Sequence, residues 1–525
     1  MNSFLKQVSV AGRQAVQAKN WAHVKACAQE ILSRSRDSAE GHFLLGLAEK
    51  ATNRRAAAVK AFTRAISLEE GRYDAAVELA GLYMKTHEYG IATELLKQHE
   101  SFMENSPRYL DMAGTIFVNA GQPEKGWPLF RRANELQPGV QSLQANYAAC
   151  SVYVGKIDEA REIYAALLEQ FPTHQRNHYE LSRLATAKDS EHIDQMKAIL
   201  QATALSPEKN IYLYYALGKE LEDLERWDEA FEYLEKAGAA ALSVADYDVA
   251  DDVRLIDTVI ETCSPKWLAS ETAEPVPGAE GKTPVFVVGL PRTGTTLTER
   301  IISCHSKVES VSESYFIQIA IKEVSRIESA EAMTPAMIES AATKDINRIA
   351  KGYIDAIKYR FGNKPLFVEK FPENFLYLGF IAKAFPNAKI VHLNRNPMDS
   401  CFAMFKQSFF RYAYSLDDVG AYFAAHDKLR KHWRNLLGDR LIEVNYEDIV
   451  GDQENETRRL LEALGLEFEA ACLAFEKNKS ASNTASTVQI REKIHGRSVN
   501  RWMRFERQLQ SLRIYLENAG VEIKS

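Results

Sequence analysis

In the first half of the chain, small and bulky apolar residues return at a fixed step. Gly46, Ala80, Gly114 and Ala148 stand 34 residues apart; twelve residues after each come Ala58, Ala92, Gly126 and Ala160, and sixteen after each come Phe62, Leu96, Phe130 and Tyr164. Pro138 and Pro172 fall where the second helix of a unit must stop, because proline cannot continue a helical hydrogen-bond ladder. A weaker unit precedes these around residues 12–33. Two follow, one around Ser182 and one carrying Gly218, Ala230, Leu234 and Ala237, with two extra residues in the intervening loop. The pattern predicts paired antiparallel helices, packed where small residues admit a close neighbour and stacked into a solenoid over about residues 5–240.

Beyond Ala241 this pattern fades, and SETAEPVPGAEGKT at 270–283 is rich in Pro, Gly and acid. We therefore expect a helical-repeat domain over 1–245, a linker region over 246–282 and a second domain over 283–525. In that second domain apolar, β-branched runs recur at 284–289, 366–370, 389–395 and 441–449, separated by helical stretches at 341–361, 375–385 and 419–437. Strands alternating with helices predict a mostly parallel sheet whose ligands lie outside the carboxyl ends of the strands. The overall expectation is an α-solenoid followed by an α/β domain.

The run PVFVVGLPRTGTTLTER at 284–300 reads as strand, glycine turn and helix start. Its spacing is that of a phosphate-binding loop, G-x-x-x-x-G-[K]-[ST], filled by Gly289, Gly294, Thr295 and Thr296, with the lysine replaced by Thr295. A loop feeding a helix N-terminus offers unpaired backbone N–H groups and the positive end of the dipole to an anion. In nucleoside triphosphatases the lysine and the following hydroxyl serve the terminal phosphates and Mg²⁺, so its absence argues against that chemistry. The nearest cation is Arg292.

Composition narrows the setting. With 525 residues the chain is long enough for two to four domains, and its net charge of −6 argues against a nucleic-acid coat. Neither an apolar leader nor a span of about 18 apolar residues is evident, so no membrane span and a cytoplasmic setting are expected. Six scattered cysteines without a C-x-x-C pair read as reduced thiols and give no zinc site.

Two resemblances follow. The 34-residue units resemble the tetratricopeptide repeat (TPR), which implies a surface for a protein or peptide, or for self-association. The ordered blocks GLPRTGTTLTERIISCH, SES, EKFPENFLYLGFIAKAFPNAKIVHLNRNPMDSC, VNYEDIV and SVNRW resemble the sulfotransferase family, most of all tyrosylprotein sulfotransferases and bacterial proteins that join such repeats to such a domain. The resemblance implies a P-loop-like α/β sulfotransferase domain using 3′-phosphoadenosine 5′-phosphosulfate (PAPS) as co-substrate, without a metal. The acceptor would be a hydroxyl, with a protein or peptide tyrosine favoured and a carbohydrate, lipid or small-molecule alcohol as alternatives.

Carried onto this chain, the resemblance assigns Thr293, Gly294, Thr295 and Thr296 to the 5′-phosphosulfate and Arg292 to the bridging oxygens of the leaving group. Glu313 occupies the position of the base, where a part-buried carboxylate of raised pKa suits proton removal from a phenol or alcohol. Lys370 and Ser486 match groups that stabilise the transfer, and Arg395 matches the 3′-phosphate ligand. A serine expected eight residues after Arg395 is Ala403 here, with Ser400 one turn away as a substitute. Tyr446 matches the residue beside adenine, while Arg491, Arg497 and Arg501 form a basic run able to close over the 3′-phosphate. His305, although cytosolic small-molecule members use a histidine as base, reads as structural. A non-catalytic repeat scaffold with a degenerate transferase domain, and a nucleotide-dependent phosphotransferase, are the rival readings.

Overall fold

The computed structural model describes residues 3–103, 105–203, 205–478, 480–482, 484 and 486–523. The chain falls into two compact units, Met1–Val154 and Gly155–Ser525.

The first unit is a run of helix hairpins: Ser3–Gln17 with Trp21–Arg34, Ala39–Ala51 with Arg55–Leu68, Tyr73–Met84 with Tyr89–Gln98, and Pro107–Asn119 with Pro123–Leu136, closed by Gln141–Tyr153. The 34-residue spacing has a direct steric cause. A Cβ on Gly46 would stand 2.5 Å from the Phe62 ring, one on Gly114 would stand 2.9 Å from the Phe130 ring, and one on Gly126 would stand 2.7 Å from the Gly114 carbonyl. The residue sixteen positions on thus packs onto the small marker, and the one twelve positions on faces its backbone. Hairpins are also tied together by charge: the fully buried Glu78 receives Lys50 at 2.5 Å and Arg108 at 3.1 Å from the units on either side. A buried carboxylate needs such partners to offset the loss of water.

The second unit opens with further repeat helices, Ile157–Gln170, Gln175–Ser182, Glu191–Thr203, Ile211–Asp223 and Trp227–Leu242. The same rule holds here, since a Cβ on Gly218 would lie 2.7 Å from Leu234. These helices do not end at a bare linker. Phe231 packs against Phe402, Phe405 and Phe505 with ring centroids about 6 Å apart, and Gly238 admits the Tyr414 carbonyl so closely that a Cβ would collide with it. Buried Glu222 accepts Lys406 at 2.9 Å and Arg501 at 3.0 Å. Within 246–282 the helix Val249–Thr262 packs against the later helix Leu416–Leu437, and residues 269–282 lack regular structure.

Five strands follow: β1 (Thr283–Gly289), β2 (Val308–Ser310), β3 (Leu366–Lys370), β4 (Lys389–Asn394) and β5 (Leu441–Asn445). All pairings are parallel, in the order β2-β3-β1-β4-β5. The central β1 is buried along nearly its whole length, which explains its unbroken apolar run. The short β2 had no clear apolar signature, and the run at 441–449 divides into β5 and the helix Tyr446–Gly451. Because β1, β3 and β4 are adjacent and parallel, their carboxyl ends bring the glycine loop, Lys370 and Arg395 to one edge.

Behind the sheet lies a pair of buried histidines, His392 on β4 and His426 on Leu416–Leu437, with rings 5.4 Å apart. Both ring nitrogens of His426 lack hydrogen-bond partners, and His392 bonds Asn394 at 3.2 Å. Burial, reinforced by Arg430, pushes His392 down to about 4; burial, reinforced by His392, pushes His426 well below the usual imidazole range. The unfolded chain then binds more protons than the fold between about pH 4 and 6.5, so stability held above 6.5 is lost as pH falls through that window. His426→Phe is expected to move the acid-unfolding midpoint, followed by circular dichroism, to lower pH. A midpoint unchanged or raised relative to wild type contradicts this account.

Candidate active site

The turn after β1 is built from residues in unusual backbone states. Gly289 has φ +141°, and a Cβ there would stand 2.6 Å from the Leu393 carbonyl of neighbouring β4. Arg292 adopts φ +66°, a left-handed state uncommon for a side chain of that size. Gly294, at φ +98°, caps the helix Thr295–Ser303, and a Cβ would meet the Tyr446 ring at 2.7 Å. Thr293 donates to the Leu290 carbonyl at 2.6 Å, folding the loop back on itself. Thr293, Thr295 and Thr296 are buried.

Two guanidinium groups converge on this loop. Arg292 donates to the hydroxyl of Ser486 and, at 2.8 Å, to the amide oxygen of Gln489. Arg395 donates to the Arg292 carbonyl at 2.8 Å and to the Ser498 carbonyl at 2.5 Å, with its plane 4.9 Å from the Tyr446 ring. Among the described residues no carboxylate pairs with Arg292, whereas Arg395 has Asp399 at 4.0 Å. Burial, followed by the charges of Arg395 and of Arg183 from the turn after Gln175–Ser182, pushes Arg292 down to about 10. The Nε atoms of both arginines and the hydroxyl of Ser400 are buried without a hydrogen-bond partner. Crowded like charges with unused donors are the signature of a missing anion.

The basic run is dispersed. Arg501 pairs with Glu222 and lies 4.7 Å over the Trp227 ring, Arg497 pairs with Glu492 at the surface, and half-buried Arg491 lies against Gly155. None of the three joins Arg292 and Arg395 in this structure. Ala403 and Ser400 share the helix Pro397–Phe405, whose Asn396 side chain caps it by accepting the N–H groups of Met398 and Asp399.

Across the sheet edge, the carboxyl end of β3 holds a carboxylate–ammonium pair. Lys370, almost fully buried, contacts the Glu313 carboxylate. Glu313 is placed by the turn after β2: Ser312 has φ +61°, and Arg360 donates to the carbonyls of Val311 at 2.6 Å and Glu313 at 3.1 Å. Glu313 is half-buried. The deeply buried acid is its neighbour Glu369, which accepts the hydroxyls of Ser314 and, at 2.5 Å, Tyr353, and which burial pushes up to about 7. Sequence reasoning did not single out Gln489, Arg183 or Tyr353, and gave Glu369 no role beyond a strand-end polar residue able to pair with Lys370. Only Glu369, directly before Lys370 at a strand end, carried a readable signal. His305 is buried and faces the Glu467 carbonyl at 3.0 Å and Glu469, a structural contact.

Residues 284–470 match the sequence model of the Sulfotransferase family, and residues 39–72 match that of the Tetratricopeptide repeat. The chain therefore carries a tetratricopeptide-repeat region followed by a sulfotransferase-family domain of parallel α/β architecture. An "Uncharacterized protein" of Aquifex aeolicus (strain VF5) is 28% identical over 416 residues, covering 77% of this chain and 54% of its own. A "Protein-tyrosine sulfotransferase" of Drosophila melanogaster is 22% identical over 232 residues, covering 42% of this chain and 46% of its own. The chain thus spans about half the length of these two relatives. Among solved structures, YrrB, described as a TPR protein with an unusual peptide-binding site, aligns at 17% identity and a TM-score of 0.29, covering 39% of this chain and 96% of its own.

Proposed function

We propose that this protein is a PAPS-dependent sulfotransferase that modifies an acceptor hydroxyl, with a tyrosine of a protein or peptide as the favoured acceptor. The observation that carries this reading is the convergence of two guanidinium groups, Arg292 without a carboxylate partner among the described residues and Arg395 with only Asp399 at 4.0 Å, at the mouth of a phosphate loop without its lysine. Their orphaned Nε donors, the buried Ser400 hydroxyl and the open N-terminus of Thr295–Ser303 suit a ligand carrying two separated phosphate groups. When bound, PAPS supplies an activated sulfuryl group and a bisphosphate leaving group.

In this reading Arg292 and Ser486 face the oxygens on which negative charge grows, Thr293 to Thr296 hold the 5′ side and Arg395 the 3′ side, with Tyr446 against the base. Glu313 takes the proton of the acceptor hydroxyl onto its carboxylate, and Lys370 holds that carboxylate in place while adding positive charge beside the reacting oxygens. The repeat region supplies a surface for a protein acceptor or for self-association. The match to the Sulfotransferase family over 284–470 and the likeness to protein-tyrosine sulfotransferases support the reading.

A second reading, a repeat scaffold whose transferase domain no longer binds the donor, is favoured by Ala403 and by the commitment of Arg501 to Glu222. Calorimetry with adenosine 3′,5′-bisphosphate separates the two. Binding without added Mg²⁺, and with no comparable heat from ATP, is expected. No heat at millimolar ligand leaves only the scaffold.

A further inference from the structure

Three residues beyond Lys370, the turn Pro372–Tyr377 carries Glu373, a half-buried carboxylate that has neither an ion pair nor a hydrogen bond among the described residues. Its charged neighbours are acids. Burial, then the charge of Glu313 and that of Asp252, push Glu373 up to about 7. Asp252 stands in the first turn of Val249–Thr262, the helix that packs on this turn and on Leu416–Leu437, and accepts only the Tyr247 hydroxyl, at 2.6 Å. Both carboxylates act electrostatically on Tyr412, which is 93% buried, its ring stacked on Tyr422 with centroids 3.8 Å apart. The Tyr412 hydroxyl has no hydrogen-bond partner, and Glu373, Asp252 and Tyr247 are the charged or ionisable groups it faces. A buried hydroxyl without a hydrogen-bond partner, with two carboxylates among its electrostatic neighbours, suits a donor group from a ligand.

We propose that Glu373 and Asp252, together with the Tyr412 hydroxyl, form an acceptor subsite that receives an ammonium group lying beside the hydroxyl to be sulfated. This assignment rests on the sulfotransferase reading, because it takes Glu313 as the landmark for the reacting hydroxyl. An alkylammonium fits the chemistry of the wall. It brings positive charge to two carboxylates and donates an N–H to a phenol oxygen. A dehydrated Ca²⁺ or Mg²⁺ requires six or more oxygen ligands, more than two carboxylates and a phenol supply. The substrate class that follows is a hydroxyl acceptor that is cationic close to its reacting group. A tyrosine flanked by lysine meets this description, and one flanked by aspartate or glutamate is repelled.

The test uses the full chain, PAPS, and two phenols of similar size and opposite charge, tyramine and 3-(4-hydroxyphenyl)propionate. Wild type is expected to favour tyramine by about tenfold or more in kcat/KM, or in affinity in the presence of saturating adenosine 3′,5′-bisphosphate, the scale of one charge-assisted contact. Glu373→Gln should reduce that ratio to about twofold or less. Equal handling of the two phenols, a preference for the carboxylate, or a ratio unchanged in the variant overturns the subsite. If the bisphosphate binds but neither phenol binds or reacts, the subsite falls and the donor site stands. If the bisphosphate itself fails to bind, the sulfotransferase reading falls and takes the subsite with it. Should Glu373→Gln lose bisphosphate binding, and with it evidence of a native fold, Tyr412→Phe replaces it in the test. That variant keeps the stacked ring, and a ratio lowered by threefold or more is expected, with an unchanged ratio counting against the subsite.

Discussion

Replacing Glu313 with glutamine is expected to lower turnover by about 100-fold or more while adenosine 3′,5′-bisphosphate binds as tightly as before. The substitution keeps the shape of the side chain and removes only its ability to take a proton. Glu313, proposed to face the acceptor, belongs to the turn after β2 and contacts Lys370 at the carboxyl end of β3, whereas the arginines proposed to hold the donor belong to the turns after β1 and β4. Loss of the carboxylate also leaves the buried Lys370 without its anionic partner, so any residual rate should be measured across pH and not at one point. Near-wild-type turnover in Glu313→Gln moves the base elsewhere. Glu373 is then the next carboxylate to substitute, since Glu369 is enclosed by Ser314 and Tyr353.

Arg292→Ala is expected to lower kcat by about 10² to 10³, the typical cost of removing a donor aimed at charge that grows in a transition state. The side chain also donates to Ser486 and Gln489, so its loss removes two hydrogen bonds between the glycine loop and the 486–491 segment. Arg292→Lys distinguishes charge from geometry. A lysine restores a cation but not the planar fork that reaches both partners, so rescue should be partial. Steady-state kinetics with the bisphosphate inhibition constant measured alongside decides the matter. A kcat within about threefold of wild type in Arg292→Ala excludes Arg292 from the transfer step.

Much of this site was legible because its parts sit where local sequence dictates geometry. Gly289 and Gly294 are required by a loop that turns into a helix against β4 and Tyr446, and Lys370 and Arg395 end apolar runs that read plainly as strands. The solenoid was legible for a similar reason, a steric contact repeated every 34 residues, as between Gly46 and Phe62. What stayed hidden depends on contacts distant in sequence. The pairing of Arg501 with Glu222 spans 279 residues, and no run of basic residues reveals that one member is already engaged. The orphaned hydroxyl of Tyr412 was equally invisible, since an aromatic in an apolar stretch reads as core until its hydroxyl is found without a partner.

The aromatic contact of Phe231 with Phe402, Phe405 and Phe505 bears on how such a protein is assembled in evolution. The Pro- and Gly-rich stretch at 270–283 looks like the natural seam for exchanging one repeat array for another. Recombination there would remove Phe231 from the rings it packs on and separate Glu222 from Lys406 and Arg501. The division between compact units lies at Val154 and Gly155, so the last repeat helices belong to the same unit as the α/β domain and an exchange of repeats that spares these contacts has to fall before them.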